Sequence, residues 1–134
     1  PLKYRSRALR EGSFDLIYSM GLYDYIEDDR LDGKGRRVGV RSLTGQLFRL
    51  LKPGGRLIVG NYLLPSDSTP HKSHHRLMFE WSFDWKLQYR TPRQIETFLE
   101  DIPGEFEWRI TGEFFDEREH LAGCAIGFLE IRRT

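Results

Sequence analysis

The sequence predicts an α/β fold built around a mostly parallel sheet, and three observations carry that expectation. Residues 14 to 63 read as strand, loop, helix, glycine-rich turn and strand, the βαβ arrangement of a parallel sheet. A capped amphipathic helix follows, running from about residue 92 to 102. The chain then closes on two strands of opposite character, one alternating at residues 106 to 111 and one almost continuously apolar at residues 121 to 131.

Taken in order, Phe14-Asp15-Leu16-Ile17-Tyr18-Ser19-Met20 is rich in the aromatic and branched residues that suit a pleated, buried surface. Asp28-Asp29-Arg30-Leu31-Asp32-Gly33-Lys34-Gly35 is polar and glycine-containing, a loop by composition, and lacks the full calcium-loop ligand pattern. Val40, Leu43, Leu47, Leu50 and Leu51 recur at helical spacing and form one apolar face. Gly39 and Gly45 each weaken that helix by up to about 1 kcal/mol. Lys52-Pro53-Gly54-Gly55 stops it, because proline disfavours helix in the residue before it and glycine supplies a positive φ. The strand Arg56-Leu57-Ile58-Val59-Gly60-Asn61 follows.

Residues 76 to 90 contain five aromatic side chains, with Leu77, Trp81 and Trp85 on one helical stripe and Glu80 and Asp84 on another. The stripe reads as core or as a substrate wall. Glu80 and Asp84 read as an acid/base pair or as partners of Arg76 and Lys86. Thr91-Pro92-Arg93-Gln94 is a capping box with proline at the first helical position, and Ile95, Phe98, Leu99 and Ile102 form the apolar face behind it. Phe106, Trp108 and Ile110 alternate with Glu107, Arg109 and Thr111, as in a strand near a sheet edge. The run 121 to 131 fits a strand buried on both faces, and Asp116 to His120 joins the two as a hairpin loop.

The 134 residues suit one domain, yet the chain begins Pro1-Leu2-Lys3-Tyr4 without an initiator Met and reads as part of something longer. Its 21 basic and 20 acidic residues give a net charge of +1, which predicts no broad attraction to nucleic acid or anionic membrane. Lys3, Arg5, Arg7 and Arg10 cluster, as a solvated face or a small phosphate-binding patch. One cysteine, Cys124, excludes an internal disulfide and lies in an apolar run, as an inert core residue. With no apolar stretch near the roughly 20 residues that span a bilayer and no signal-peptide pattern, the chain is expected to be soluble and cytoplasmic. His71, His74 and His75 match no zinc spacing, and Lys72 and Arg76 oppose a cation, so no metal is expected and the segment reads as a loop over the mouth of a site.

In open α/β sheets ligands bind outside the carboxyl ends of the parallel strands, here Ser19 to Tyr25 and Asn61 to Pro65. The wording of these pieces resembles the second half of class I S-adenosylmethionine-dependent methyltransferases, with Phe14-Asp15-Leu16-Ile17-Tyr18-Ser19 as the fourth strand and Leu50-Leu51-Lys52-Pro53-Gly54-Gly55-Arg56-Leu57-Ile58-Val59-Gly60-Asn61 as the turn and fifth strand. The run Glu80 to Arg90, Glu-Trp-x-x-x-Asp-Trp-x-Leu-x-Tyr-Arg, narrows the resemblance to the methyltransferases of 3-hydroxypalmitic acid methyl ester biosynthesis, which make an extracellular cell-density (quorum) signal. No Gly-x-Gly-x-x-Gly or similar turn follows a strand, so residues 1–134 resemble the C-terminal part of such a domain without its cofactor-cradling half.

That resemblance implies a half-sheet of strands 4-5-7-6, the last strand inserted antiparallel, with the fourth strand left as an open edge. It implies S-adenosylmethionine as cofactor, bound weakly or not at all by this chain, with Ser19, Met20, Gly21 and Tyr23 toward the methyl donor and Tyr23 and Tyr25 at the mouth. Asn61, Tyr62, Trp81, Trp85 and Tyr89 would line the substrate, a small-molecule acid whose carboxylate becomes a methyl ester. Because a carboxylate is already anionic at neutral pH, no general base is required and no catalytic residue is assigned. Another oxygen or nitrogen acceptor stays open, as does a noncatalytic binding or oligomerisation domain that keeps the fold. The open edge at residues 14–20 implies a homodimer joined through that strand.

Overall fold

The computed structural model describes residues 9–63, 80–112 and 125–134. Lys3, Arg5, Arg7, Leu64, Pro65, His71, His74, His75, Arg76, Leu77, the 116–120 loop and Cys124 lie outside the described residues. In chain order the elements are β1 (Phe14–Met20), a 3-10 turn (Tyr23–Tyr25), the short strands β2 (Arg30–Leu31) and β3 (Arg37–Val38), α1 (Val40–Leu50), β4 (Leu51–Leu63), α2 (Pro92–Glu96), a 3-10 turn (Thr97–Leu99), β5 (Phe106–Gly112) and β6 (Ala125–Arg133). The main sheet has the order β1-β4-β6-β5. β1 and β4 run parallel, and β6 is antiparallel to both its neighbours. This is the half-sheet the sequence leads one to expect, with β1 at one edge and β5 at the other.

The polar loop is more ordered than its composition suggests. Asp32 closes it into a hairpin by accepting from the Lys34 and Arg36 amides at 2.8 Å each, and Gly35 supplies the positive φ of 72° at the turn. These bonds and the Arg36 guanidinium hold the Asp32 carboxyl below its usual range. The hairpin returns the chain so that Asp29 reaches the start of α1. Its Oδ1 accepts from the amides of Arg41 at 3.1 Å and Ser42 at 3.4 Å, doing from eleven residues upstream of Val40 what an N-cap side chain normally does locally. Gly39 stands at the cap with φ 142°, and a Cβ there would fall 2.4 Å from Asp29 Oδ1.

At its other end α1 passes straight into β4. Phe14 pairs with Leu51 but Leu16 pairs with Arg56, so Lys52 to Gly55 bulge out of the ladder. A Cβ on Gly55 would lie 2.9 Å from the carbonyl oxygens of both Lys52 and Phe14, which is why a glycine is needed there. α2 starts on the expected capping box, with Gln94 N donating to Thr91 Oγ1 and Thr91 N to Gln94 Oε1. It is shorter than the predicted 92–102. Thr97 Oγ1 donates to the Gln94 carbonyl at 2.7 Å, and the chain tightens into 3-10 geometry while still delivering Phe98 and Ile102 to the core.

Both helices pack on the same face of the sheet. Ile17, Leu57, Val59, Leu63, Leu129, Ile131, Phe106 and Ile110 meet Val40, Phe48, Ile95, Phe98 and Ile102 in one core. Burying each large apolar side chain contributes about 1.5–3 kcal/mol. The opposite face is open: Tyr18 is 69% exposed, Leu16 and Met20 are exposed beside it, and Ile126 is exposed on β6. The expectation of burial on both faces is therefore corrected for residues 14–20 and, of the run 121–131, for residues 126–131, because only the alternate residues of β1 and β6 lie under helices. Two glycines form notches between strands. Leu63 fills the space over Gly127, where a Cβ would come within 2.3 Å of its Cδ1, and Met20 with Phe128 fills the space over Gly60 on the other face.

The Asp29 cap yields a stability test. Asp29→Ala is expected to destabilise the fold by about 1 kcal/mol in urea titration. Gly39→Ala should cost more, because the added carbon displaces Asp29 as well as straining the backbone. An Asp29→Ala change with no effect would remove the carboxylate from the capping role.

Candidate functional site

Beyond Met20 the chain turns at Gly21, φ 79°, with nothing within 4 Å of where a Cβ would stand. Beside it Ser19 Oγ is buried with no hydrogen-bond partner among the described residues. Met20 is half exposed, its sulfur over Gly60. These three candidate cofactor contacts therefore cluster at the carboxyl end of β1.

Tyr23 does not join them, and its predicted place at the mouth is corrected. It is fully buried, its hydroxyl 3.0 Å from Thr44 Oγ1 and its ring 5.5 Å from that of Phe98. Burial pushes its hydroxyl up to about 12, with the Thr44 bond opposing. The 3-10 turn that follows Gly21 rolls Tyr23 under the sheet face and leaves Tyr25 exposed, where its hydroxyl accepts from Trp85 Nε1–H at 2.6 Å.

Asn61 is also a core residue, 2% exposed. Its amide nitrogen donates to the carbonyls of Tyr62 at 2.8 Å and Gln88 at 3.0 Å, and its oxygen accepts from Arg90 Nη1 at 2.7 Å, which leaves it facing the scaffold rather than a substrate. Tyr62 and Tyr89 pack with ring centroids 5.8 Å apart and planes tilted at 46°, and form a small second cluster with Leu87. The predicted stripe of Leu77, Trp81 and Trp85 does not persist: residues 80–83 are helical, and Asp84 then takes a left-handed φ of 48°. This break also separates Glu80 from Asp84, which instead lies 3.7 Å from Lys86 in an exposed ion pair. Trp81 is 91% exposed, whereas Trp85 is drawn down toward Tyr25.

What joins these pieces is a pair of charged side chains to which sequence reasoning assigned no role. Arg90, 3% exposed, donates from Nη1 to the Tyr23 carbonyl and Asn61 Oδ1, from Nη2 to the Ile26 carbonyl and from Nε to Asp28 Oδ1, and its guanidinium lies 5.3 Å over the Phe98 ring. Four of the five N–H donors an arginine carries are engaged, so this cation is spent on the fold. Asp24, 2% exposed, accepts from the Tyr62 amide at 2.8 Å, and its own carbonyl accepts from Gln88 N at 2.7 Å. Burial raises its carboxyl above the ordinary value; the Tyr62 bond and the Arg90 charge pull the other way. The sequence signal for both was faint, an aspartate between two tyrosines and an arginine at the end of the aromatic segment.

A groove of about 400 Å³ opens between the turn after β1 and the hairpin, lined by Tyr25, Ile26, Glu27, Asp28, Arg30 and Val38. A larger one, about 590 Å³, lies at the amino end of β4 among Arg56, Glu107, Arg109, Glu130 and Arg132. That charged cleft is at the wrong end of the parallel strands for a ligand in an open α/β sheet.

No protein-family model and no curated protein matches the sequence. Solved structures do match in fold. Phosphoethanolamine N-methyltransferase 2 of Haemonchus contortus, in complex with phosphomonomethylethanolamine and S-adenosylhomocysteine, aligns over 93% of this chain with a TM-score of 0.61 and 13% identity. A SAM-dependent methyltransferase of Thermotoga maritima, a possible histamine N-methyltransferase, aligns over 95% with a TM-score of 0.57 and 14% identity. An S-adenosylmethionine-dependent methyltransferase of Mesorhizobium loti aligns over 93% with a TM-score of 0.57 and 18% identity. The chain spans 34%, 59% and 64% of those three chains, less than two thirds of each. Its four-stranded sheet has the fold of the matching part of these methyltransferases.

Two measurements check the polar framework. Arg90→Met leaves the Asn61 oxygen and two carbonyls without their donor, at about 1–3 kcal/mol each, and is expected to destabilise the chain several-fold more than Asp28→Ala, whose carboxylate is exposed. Equal effects in urea titration would reduce Arg90 to a surface partner. For Asp24 the folded state holds its proton more tightly than the unfolded chain does. Stability from that proton is fully present below the ordinary value of 3.8 and is lost as pH rises through the raised folded value. Asp24→Asn, which keeps an oxygen for the Tyr62 amide, should flatten that part of the pH–stability curve; an unchanged slope would assign it to other carboxylates.

Proposed function

We propose that this chain supplies the acceptor-side half of an S-adenosylmethionine-dependent methyltransferase, and that the acceptor is the carboxylate of a hydroxylated fatty acid. The observation that carries the reading is the strand order β1-β4-β6-β5 with β6 antiparallel, which brings the carboxyl ends of β1 and β4 side by side. The donor side fits this chain in three residues: the open Gly21 turn, the orphaned Ser19 Oγ and the half-exposed Met20 would hold the cofactor. When bound, S-adenosylmethionine supplies an electrophilic methyl group on a sulfonium.

The acceptor side rests on fewer atoms. Tyr25 and Trp85, tied by their hydrogen bond, present an aromatic surface beside the β1 turn, and Tyr62 and Tyr89 form a second apolar cluster at the end of β4. Such surfaces suit an acyl chain. The resemblance in the run Glu80 to Arg90 supports the hydroxy-acid choice. A carboxylate reaches the donor already anionic, so no side chain has to remove a proton, and positioning with exclusion of water carries the rate. The engaged state of Arg90 agrees with this division of labour, since it braces the site rather than clamping the acid. A second reading, a noncatalytic binding or oligomerisation domain that keeps the fold, is left open by the same strand order.

Calorimetry on this chain is expected to show S-adenosylmethionine binding weaker than micromolar, because the sequence offers no glycine-rich turn and several hydrogen bonds at about 1 kcal/mol each are lost. Methyl transfer to a panel of fatty, hydroxylated and aromatic acids, measured on the complete polypeptide that carries this chain, tests the reaction. Hydroxylated long-chain acids should be the best substrates, and Trp85→Ala should raise KM far more for long acids than for short ones. Transfer to amines alone would overturn the acceptor, and no transfer at all would favour the second reading.

A further inference from the structure

The hydrogen bond between Trp85 and Tyr25 has a direction, and that direction leaves one proton without an acceptor. An indole N–H is a donor only, so in the 2.6 Å contact Trp85 Nε1 donates and the Tyr25 hydroxyl oxygen accepts. The phenolic O–H then aims its own hydrogen elsewhere, and among the described residues nothing accepts it. Tyr25 is 55% exposed, yet its backbone is held on both sides. The Tyr23 carbonyl accepts from Arg90 Nη1 at 2.9 Å, the Asp24 carbonyl from Gln88 N at 2.7 Å and the Ile26 carbonyl from Arg90 Nη2. A phenol on a turn so tied is a donor set in place before any ligand arrives, which lowers the entropy lost in orienting one.

The surroundings of that donor favour an uncharged partner. Tyr25 lines the groove of about 400 Å³ together with Ile26, Val38, Glu27 and Asp28. Glu27 lies 3.4 Å from Arg30, and Asp28 lies 3.3 Å from Arg90. Each arginine already faces a carboxylate of the protein, and the two acidic side chains disfavour a further anion beside them. The chemistry points the same way. A donor placed on a reacting carboxylate would stabilise the charge that methyl transfer removes, and so would hold the reaction back. We propose that the Tyr25 hydroxyl donates a hydrogen bond to the neutral hydroxyl oxygen on the acceptor's acyl chain and makes the site prefer hydroxylated acids to plain ones, with Trp85 as the positioning residue that orients its proton. This rests on the proposed transfer to a hydroxylated acid and adds to it the group that reads the hydroxyl. A plain chain in the same place strips water from the phenol and returns no partner, so it binds with a penalty that the hydroxylated chain escapes.

The test uses the complete polypeptide that carries this chain and a set of long-chain acids of equal length, one plain and the others hydroxylated at successive carbons, with kcat/KM measured for each. The best hydroxylated acid should exceed the plain one by about tenfold, the scale of one hydrogen bond at a partly exposed site, and Tyr25→Phe, which keeps the ring, should abolish that ratio. Trp85→Phe should lower the ratio about threefold and lower it no further in a Tyr25→Phe background, because the indole N–H acts only through the phenol. A ratio unchanged in Tyr25→Phe, an equal loss on plain and hydroxylated acids, or a wild-type enzyme indifferent to the hydroxyl overturns the inference while transfer to carboxylates stands. Should Tyr25→Phe not fold, Trp85→Phe decides, and a ratio it leaves unchanged overturns the inference. Additive effects of the two changes overturn the orienting role of Trp85. Transfer to none of the acids overturns the proposed reaction itself, and the inference with it.

Discussion

The guanidinium of Arg90 sits where three stretches remote in sequence converge, and the arrangement of the strand ends depends on it. Withdrawing such a cation from water costs several kcal/mol, offset only where geometry is good and donors are satisfied. Here the acceptors are the carbonyls of Tyr23 and Ile26, the Asn61 amide and the Asp28 carboxylate. Each therefore has little latitude. The 3-10 turn after β1 must present two carbonyls inward, β4 must end with Asn61 on the covered face, and the chain entering α2 must run beside β4. The bridge between Leu63 and Arg90 and the bond from Arg90 N to the Tyr62 carbonyl complete that last demand. Asp24 adds a second tie from the same turn to the same strand end.

The rest of the molecule is asymmetric about the sheet. Helices α1 and α2 and the turn carrying Tyr23 cover one face, while on the other the strands meet solvent with an apolar end at Tyr18 and Met20 and a charged end at Arg56, Arg109, Glu130 and Arg132. At the charged end Glu130 lies between Arg109 and Arg56, whose bonds and charges hold its carboxyl below the usual range. The apolar end and the carboxyl termini of the parallel strands coincide, so the surface nearest the candidate site is also the least self-sufficient part of the fold.

Much of this architecture was legible in the residues, because hydrophobic period reports burial directly. Phe14 to Met20, the helix face from Val40, the Pro53-Gly54-Gly55 stop and the Thr91 capping box all encode their structure within a few neighbours. The hairpin around Asp32 was missed because two-residue strands have no period to read. The stripe of Trp81 and Trp85 failed at Asp84, where a single left-handed residue ends the helix, and nothing nearby announces it. Tyr23 and Tyr25 are near neighbours of the same type; only the turn geometry decides which one enters the core. Arg90 and Asp24 were harder still, since a buried charge is recognisable only once its distant acceptors are known.

The notch over Gly127 bears on a different problem, that of pairing the right residues of β4 and β6. Along the covered face β6 offers Leu129 and Ile131, and β4 offers Leu57, Val59 and Leu63. Sliding one strand past the other by two residues would keep every side chain on its own face, so alternation alone tolerates the slip. With Leu63 seated in the hollow left by Gly127, a slide that sets Leu63 opposite Gly127 drives it into Leu129 instead. The missing side chain thus acts as an index mark, excluding a misfolded ladder that alternation would accept.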